Sequence, residues 1–278
     1  MKKAIEVMNK PITITKDSSL FEAIKKLVDY KISRVAVLDE GKPVGIITEK
    51  DIGIFLYSDK TFQSLEQIPV TELMRTSLLY DGSQTLKECA AIMIEKEVGS
   101  LLIGTKEKLK GILTKTDIVN YLGEQYFGKH KVVDLKNPGF VFTLDSAPLS
   151  HVLKKMIQNN ISRIVVANNS GKLTGIITFR DFFEISLQLG SDIGVTESAA
   201  LSGHVRKGFL SDEGFGGVSL ARDVMTRKIL SVSPDNDLAS VCQIMVENNL
   251  NGLAVIDAKD KKMGIISKTD IIQFFSLV

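Results

Sequence analysis

The chain has 278 residues, enough for about two compact units at roughly 150 residues each, and its 44% hydrophobic and 24% charged content excludes a disordered or fibrous protein. The 35 basic and 33 acidic side chains leave a formal charge of +2, which excludes a dedicated polyanion-binding surface and makes any nucleotide site local. Two cysteines, Cys89 and Cys242, lie in helix-like apolar stretches without a disulfide framework, and three scattered histidines, His130, His151 and His204, have no metal-ligand spacing.

The predicted elements begin with Pro11-Ile12-Thr13-Ile14, a short leading strand. Leu20, Ala23, Ile24, Leu27 and Val28 follow at helical spacing while Glu22, Lys25, Lys26 and Asp29 stay wet, so this segment is an amphipathic helix. Val35-Ala36-Val37-Leu38 and Val44-Gly45-Ile46-Ile47 flank Asp39-Glu40-Gly41-Lys42 and predict two strands joined by a tight turn. Thr48, with Asp51 three residues on and Ile52, Ile54, Phe55 and Leu56 behind it, marks a second helix start. A unit of about 50 residues is too small to bury its faces alone, so pairing is expected.

The same grammar returns three more times. Gly-Ile-Ile-Thr-Glu-Lys-Asp at 45–51 recurs as Gly-Ile-Leu-Thr-Lys-Thr-Asp at 111–117, Gly-Ile-Ile-Thr-Phe-Arg-Asp at 175–181 and Gly-Ile-Ile-Ser-Lys-Thr-Asp at 264–270. Each first helix opens on a leucine (Leu20, Leu86, Leu149, Leu238), and an aliphatic residue follows it by 12 positions (Ile32, Val98, Ile161, Leu250). From there to the motif glycine the gap is 13 in repeats 1 and 2 but 14 in repeats 3 and 4, the extra residue falling in 168–171 and 257–262. The repeats therefore group as two pairs, with predicted boundaries at 1–58, 68–127, 132–189 and 221–278 and modules at 1–127 and 132–278. The motif aspartates are 66, 64 and then 89 residues apart, so 190–220, with seven glycines, is an insertion. It reads as a linker or as a partner-contacting loop, and its His204-Val205-Arg206-Lys207 patch is placed to reach a phosphate. Met8, Met74, Met93, Met156, Met225 and Met245 read as core packing.

Taken alone, Thr48-x-x-Asp51 is a capping-box pattern, the hydroxyl accepting from a helix N–H and the carboxylate reaching back. Four copies behind a glycine and two aliphatic residues allow a second reading. The glycine admits a ligand to the backbone, the helix start favours an anion, the hydroxyl donates to phosphate and the aspartate accepts from two sugar hydroxyls.

Four units of the order strand, helix, strand, strand, helix with this motif, opened by Glu-Val-Met at 6–8 and Asp-Val-Met at 223–225, resemble cystathionine β-synthase (CBS) domains over 5–56, 70–122, 134–187 and 221–276. The resemblance implies an α/β (α+β) fold in which four CBS repeats pair into two Bateman modules in a disc-like arrangement, with clefts for adenosine-containing ligands. In repeat count the chain is similar to the gamma subunit of AMP-activated protein kinase.

Repeats 1 and 3 carry Ile32-Ser33-Arg34 and Ile161-Ser162-Arg163 at the second strand, with Lys50 and Arg180 before the motif aspartate. Repeats 2 and 4 have Val98-Gly99-Ser100 and Leu250-Asn251-Gly252 there, and their lysines move to 115 and 268. Guanidinium forks suit phosphate, and the resemblance places arginines of this strand position on phosphates; the alternative is cations that simply face water. The predicted nucleotide site comprises Thr48, Asp51, Thr114, Asp117, Thr178, Asp181, Ser267 and Asp270 with Ser33, Arg34, Lys50, Lys115, Ser162, Arg163 and Arg180. The resemblance adds Ile12, Thr13 and Ser231 on leading strands that line a nucleoside pocket. Repeats 2 and 3 depart from it with Leu78-Leu79 and Val141-Phe142, where Phe142 either stacks on a base or fills the pocket.

The expected function is a regulatory protein that senses AMP, ADP or ATP and signals to a regulated partner protein, as a monomer or a homodimer of discs. No cofactor or metal is expected, and no nucleic-acid partner. Alternatives are a sensor of S-adenosylmethionine or NAD, or an assembly or nucleic-acid adaptor without a nucleotide role. An enzyme is not expected, because no activated nucleophile can be assembled from these residues. The basic start MKKAIEVMNKPIT lacks a signal-peptide core and no apolar run approaches the ~20 residues that span a bilayer, so a cytoplasmic protein off the membrane is expected.

Overall fold

The computed structural model of the chain describes residues 1–58, 64–135, 141–183, 215–227, 229–257 and 262–278. They form four three-stranded sheets with one topology: β1 (Thr13–Thr15), β2 (Arg34–Asp39) and β3 (Lys42–Thr48); β4 (Leu79–Tyr80), β5 (Ser100–Thr105) and β6 (Lys108–Thr114); β7 (Phe142–Leu144), β8 (Arg163–Ala167) and β9 (Leu173–Thr178); β10 (Ser231–Val232), β11 (Gly252–Asp257) and β12 (Lys262–Ser267). In each sheet the leading strand runs parallel to the middle one, which runs antiparallel to the last. The parallel pair needs a crossover, and the first helix of each repeat supplies it: Leu20–Asp29, Leu86–Glu95, Leu149–Gln158 and Leu238–Glu247. The mixed α/β class and the four repeats are as the sequence predicts.

The 12-residue spacing has a backbone cause. Lys31, Glu97, Asn160 and Asn249, each one residue before the aliphatic position, take left-handed φ of 51°, 52°, 55° and 51°. The next N–H then turns back on the helix: Ile32 to the Leu27 carbonyl (3.0 Å), Val98 to Met93 (3.0 Å), Ile161 to Met156 (3.0 Å) and Leu250 to Met245 (2.8 Å). This is a Schellman ending, whose apolar closing residue packs back on the helix, so Ile32, Val98, Ile161 and Leu250 are aliphatic for that reason. The tight turn of repeat 1 has Glu40 and Gly41 at φ 48° and 81°, a two-residue hairpin loop with both φ positive. The longer turn of repeat 3 is closed by the Asn168 side chain, which accepts from the Ser170 and Lys172 N–H groups.

Two compact units divide the chain, and they cut across the expected modules 1–127 and 132–278. One holds Met1–Pro11, Ser77–Phe140 and Leu230–Val278, thus repeats 2 and 4; the other holds Ile12–Thr76 and Val141–Ile229, thus repeats 1 and 3. In the first, the second helix of repeat 2 (Lys115–Gln125) packs on the first helix of repeat 4, and the second helix of repeat 4 (Lys268–Leu277) on the first of repeat 2. Leu86, Met93, Ile118 and Leu122 share that core with Leu238, Met245, Ile271 and Phe275. In the second unit, Leu20, Leu27, Ile47 and Ile52 share a core with Leu149, Leu153, Ile177 and Phe182. The opening segments cross over: Met1–Pro11 packs on repeat 2, where Asn9 bridges Ile112, and 69–76 packs on repeat 1, where Arg75 bridges Ile46.

Only the end of the expected insertion 190–220 falls among the described residues. Residues 190–214 lie outside the described part, the basic patch at 204–207 among them, but Phe215–Val218 is a helical turn against the first helix of repeat 3. Ser219 accepts from the Leu149 N–H (2.9 Å) and Leu220 bridges Pro148, so 215–220 are built into the unit of repeats 1 and 3. Among the described residues, no helix is long and apolar enough to cross a membrane.

Candidate functional site

The strand register fixes the corners of the candidate site. The motif hydroxyl ends the last strand, and its cross-strand partner is the first residue of the middle strand: Arg34 faces Thr48, Ser100 faces Thr114, Arg163 faces Thr178 and Gly252 faces Ser267. A cation therefore stands opposite the motif hydroxyl in repeats 1 and 3, and a small residue in repeats 2 and 4. Ser33 lies against Arg34, its Oγ within 3.3 Å of Nε and 3.2 Å of a terminal guanidinium nitrogen, while Ser162 is exposed beside Arg163.

Each motif aspartate closes its helix start with one oxygen. Asp51 Oδ2 accepts from the Thr48 hydroxyl (2.6 Å) and N–H (3.1 Å); Asp117 Oδ2 from Thr114 (2.7 and 2.6 Å); Asp181 Oδ2 from Thr178 (2.7 and 2.6 Å); Asp270 Oδ2 from Ser267 (2.6 and 2.7 Å). The carboxylate side of the capping box is thus realised in all four repeats, and the motif hydroxyl accepts from the helix N–H of Asp51 (3.2 Å) and of Asp270 (3.3 Å). It uses half of each carboxylate. The other oxygen of Asp51 holds Arg75 Nε at 2.6 Å, and that of Asp117 holds the Asn9 amide at 2.7 Å. Among the described residues no side chain from another segment reaches the second oxygen of Asp181 or Asp270.

Burial pushes the Asp117 and Asp181 carboxyls above the ordinary range, and the threonine hydrogen bonds only partly oppose it. Glu49, next to the motif hydroxyl of repeat 1, is also raised by burial despite the Arg180 guanidinium, which holds its Oε1 at 2.7 and 2.8 Å.

That ion pair changes the part assigned to one predicted cation. Arg180 is committed to Glu49, and Lys50 donates to the side chain and carbonyl of Asn160, so both serve the junction of repeats 1 and 3 within their unit. Lys115 likewise donates to the Thr269 hydroxyl (3.0 Å) and Lys268 to that of Thr116 (2.9 Å), a reciprocal pair joining repeats 2 and 4. The two positions after the motif hydroxyl interlock repeats. On the leading strands, Ile12 accepts from the Ala36 N–H (3.2 Å), Thr13 is half-buried and Ser231 is exposed. Phe142 is 47% exposed, with its ring under the Lys155 ammonium (5.6 Å), and does not fill a pocket.

The motif glycines also have a different duty from the one expected. A Cβ on Gly45, Gly111 or Gly175 would meet Met74 Sδ at 2.9 Å, Met8 Sδ at 2.3 Å or Met225 Sδ at 2.6 Å. The glycine makes room for the methionine of an opening segment rather than for a ligand. Sequence reasoning missed Asn9, Arg75 and Glu49; the residue after Met8, Met74 and Met225, always one step past the glycine contact, was the available signal.

Comparison with known proteins identifies the repeat. The family model described as CBS domain matches residues 4–55, 70–124, 132–187 and 221–277, so the chain belongs to the CBS domain family. It is 25% identical over 289 residues to the uncharacterized protein MJ1225 of Methanocaldococcus jannaschii, covering 96% of each chain. The crystal structure of MJ1225, described as a candidate archaeal homolog of g-AMPK, superposes with a TM-score of 0.79 over 99% of this chain and 100% of that one, at 24% identity. An uncharacterized conserved protein from Pyrococcus horikoshii has a TM-score of 0.64 at 21% identity over 99% of this chain and 100% of that one.

Proposed function

We propose that the protein is a regulatory sensor of adenine nucleotides (AMP, ADP or ATP) whose phosphate-binding sites lie in repeats 1 and 3. The observation that carries the reading is the register that sets Arg34 opposite Thr48 and Arg163 opposite Thr178, each beside an aspartate with only one oxygen used in capping. The guanidinium and hydroxyl take the phosphate, and the second carboxylate oxygen takes a ribose hydroxyl. Repeats 2 and 4 keep the carboxylate but lack the arginine, which suits a ligand with less phosphate or none. Nucleotide occupancy is passed to a regulated protein partner by association in this reading.

Calorimetry with AMP and adenosine tests it. Losing one charge-assisted contact costs about 1.5 to 3 kcal/mol, so Arg163→Ala weakens AMP roughly tenfold or more and leaves adenosine nearly unchanged. Equal loss for both ligands would mean that Arg163 acts on the fold; no loss would remove it from the site. Response to S-adenosylmethionine alone would keep the CBS architecture and change the ligand.

A further inference from the structure

The four repeats carry one carboxylate geometry but differ in what holds its second oxygen: Arg75 at Asp51, Asn9 at Asp117, and no described side chain at Asp181 or Asp270. Arg75 and Asn9 both directly follow an opening segment's methionine, the position that Thr226 takes in repeat 3. Its backbone is held the same way each time, by paired hydrogen bonds: Asn9 with Ile112 (2.9 and 2.9 Å), Arg75 with Ile46 (2.9 and 2.9 Å) and Thr226 with Ile176 (3.0 and 3.0 Å). Only the side chain differs. Arg75 Nε sits 2.6 Å from Asp51 Oδ1, Asn9 Nδ2 sits 2.7 Å from Asp117 Oδ1, and Thr226 is not among the side chains that bond Asp181.

We propose that this position selects which repeat accepts a ribose-bearing ligand, and that Arg75 is a latch which makes the repeat 1 site the weak one and leaves the repeat 3 site the tight one. The inference rests on the nucleotide reading above. The Asp51 side chain is 6% exposed and the Arg75 side chain 68% exposed, so the carboxylate is fixed and the cation is the movable partner. A ribose hydroxyl donates to the oxygen that the guanidinium holds, so ligand and Arg75 compete for it. At Asp117 a neutral amide competes, and a neutral donor to a carboxylate is displaced more easily than a cation. At Asp181 no described side chain competes. Displacement costs affinity at repeat 1 and frees an arginine at its rim, while the backbone pairing of 75 with 46 stays in place.

Calorimetry with adenosine as probe, on the full chain, separates the outcomes. In an Asp181→Asn background, which disables the repeat 3 carboxylate, Arg75→Ala tightens adenosine by roughly fivefold, the size of an exposed ion pair released from competition. Arg75→Asn, which copies repeat 2, gives an intermediate gain and leaves a donor on Asp51 if removal of the pair harms the fold. In the otherwise unaltered chain, Thr226→Arg transplants the latch and weakens the tight site by a similar factor. Weaker adenosine binding by Arg75→Ala, with folding intact, would overturn the latch by making Arg75 a ligand contact. Unchanged binding by Arg75→Ala and Thr226→Arg in a chain that binds adenosine overturns the latch and leaves the nucleotide reading standing. Absence of adenosine and AMP binding in every variant removes both.

Discussion

Gly45, Gly111 and Gly175 are each set by a methionine that comes from another part of the chain. At Gly111 an added Cβ meets Met8 Sδ, Cγ and Cβ at 2.3, 2.8 and 3.0 Å, so rotation of the methionine tip cannot clear it. Gly111→Ala therefore destabilises by about 1 to 3 kcal/mol, as overpacked sites do. Met8→Ala in the same chain recovers part of that loss, and a double-mutant cycle by denaturant melting reads the coupling. A glycine retained for ligand access would instead show lost affinity, an unchanged melt and no coupling to Met8. The motif hydroxyl and aspartate were legible from sequence as a box and as a site. The carboxylate part of the box is expressed in all four repeats, and the second oxygen of Asp117 and Asp51 is decided by residues 9 and 75, more than 20 positions away in sequence.

At the level of elements the repeat is a helix ended by a left-handed residue and two strands set by a hairpin. Lys31, Glu97, Asn160 and Asn249 hold this conformation with a Cβ, at a cost of about 1 to 2 kcal/mol that glycine avoids. Lys31 is exposed, and Lys31→Gly should raise stability by about 0.5 to 1 kcal/mol after the unfolded-state entropy of glycine is subtracted, while Lys31→Val lowers it. Equal melts for the three chains would show that the ending tolerates the left-handed turn without strain. The leucine-to-aliphatic spacing foretold an uninterrupted helix because a Schellman ending consumes a fixed number of residues. The one-residue difference between the turns at 39–42 and 168–171 was equally legible, since Gly41 and the Asn168 side chain each close their turn locally.

Across the molecule, burial raises Asp117, Asp181 and Glu49, so the folded state holds these protons more tightly than the unfolded chain. Their contribution is fully present below the ordinary values of 3.8 for aspartate and 4.5 for glutamate, and it is lost as pH rises through the raised values. Asp181→Asn cannot ionise and removes one share of that loss, so the stability difference, variant minus parent, increases from pH 4 to pH 7 on thermal melts; a flat difference would place Asp181 at its ordinary value. Glu88 and Asp81, lowered by hydrogen bonds from Thr85 and Ser83, act in the opposite direction and cancel in this comparison. Ligand binding follows the ionised form, so ribose affinity rises over the same window in which the empty fold loses this contribution.

The sequence by itself determined the repeat, its helices and strands, the motif corner and the odd-even alternation of arginine, because each depends on spacing within about 50 residues and on local hydrogen bonds. Tertiary structure alone decided the rest. Which repeats share a compact unit follows from how the second helices pack on first helices of a distant repeat, and the sequence spacing that pairs 1 with 2 and 3 with 4 carries no information on that packing. Arg180 reads as a free cation until Glu49 is found 2.7 Å away across 131 residues, and Asp51 reads as a free carboxylate until an opening segment brings Arg75 onto it. A charge's partner is a property of two chain segments meeting in space, and local pattern constrains only one of them.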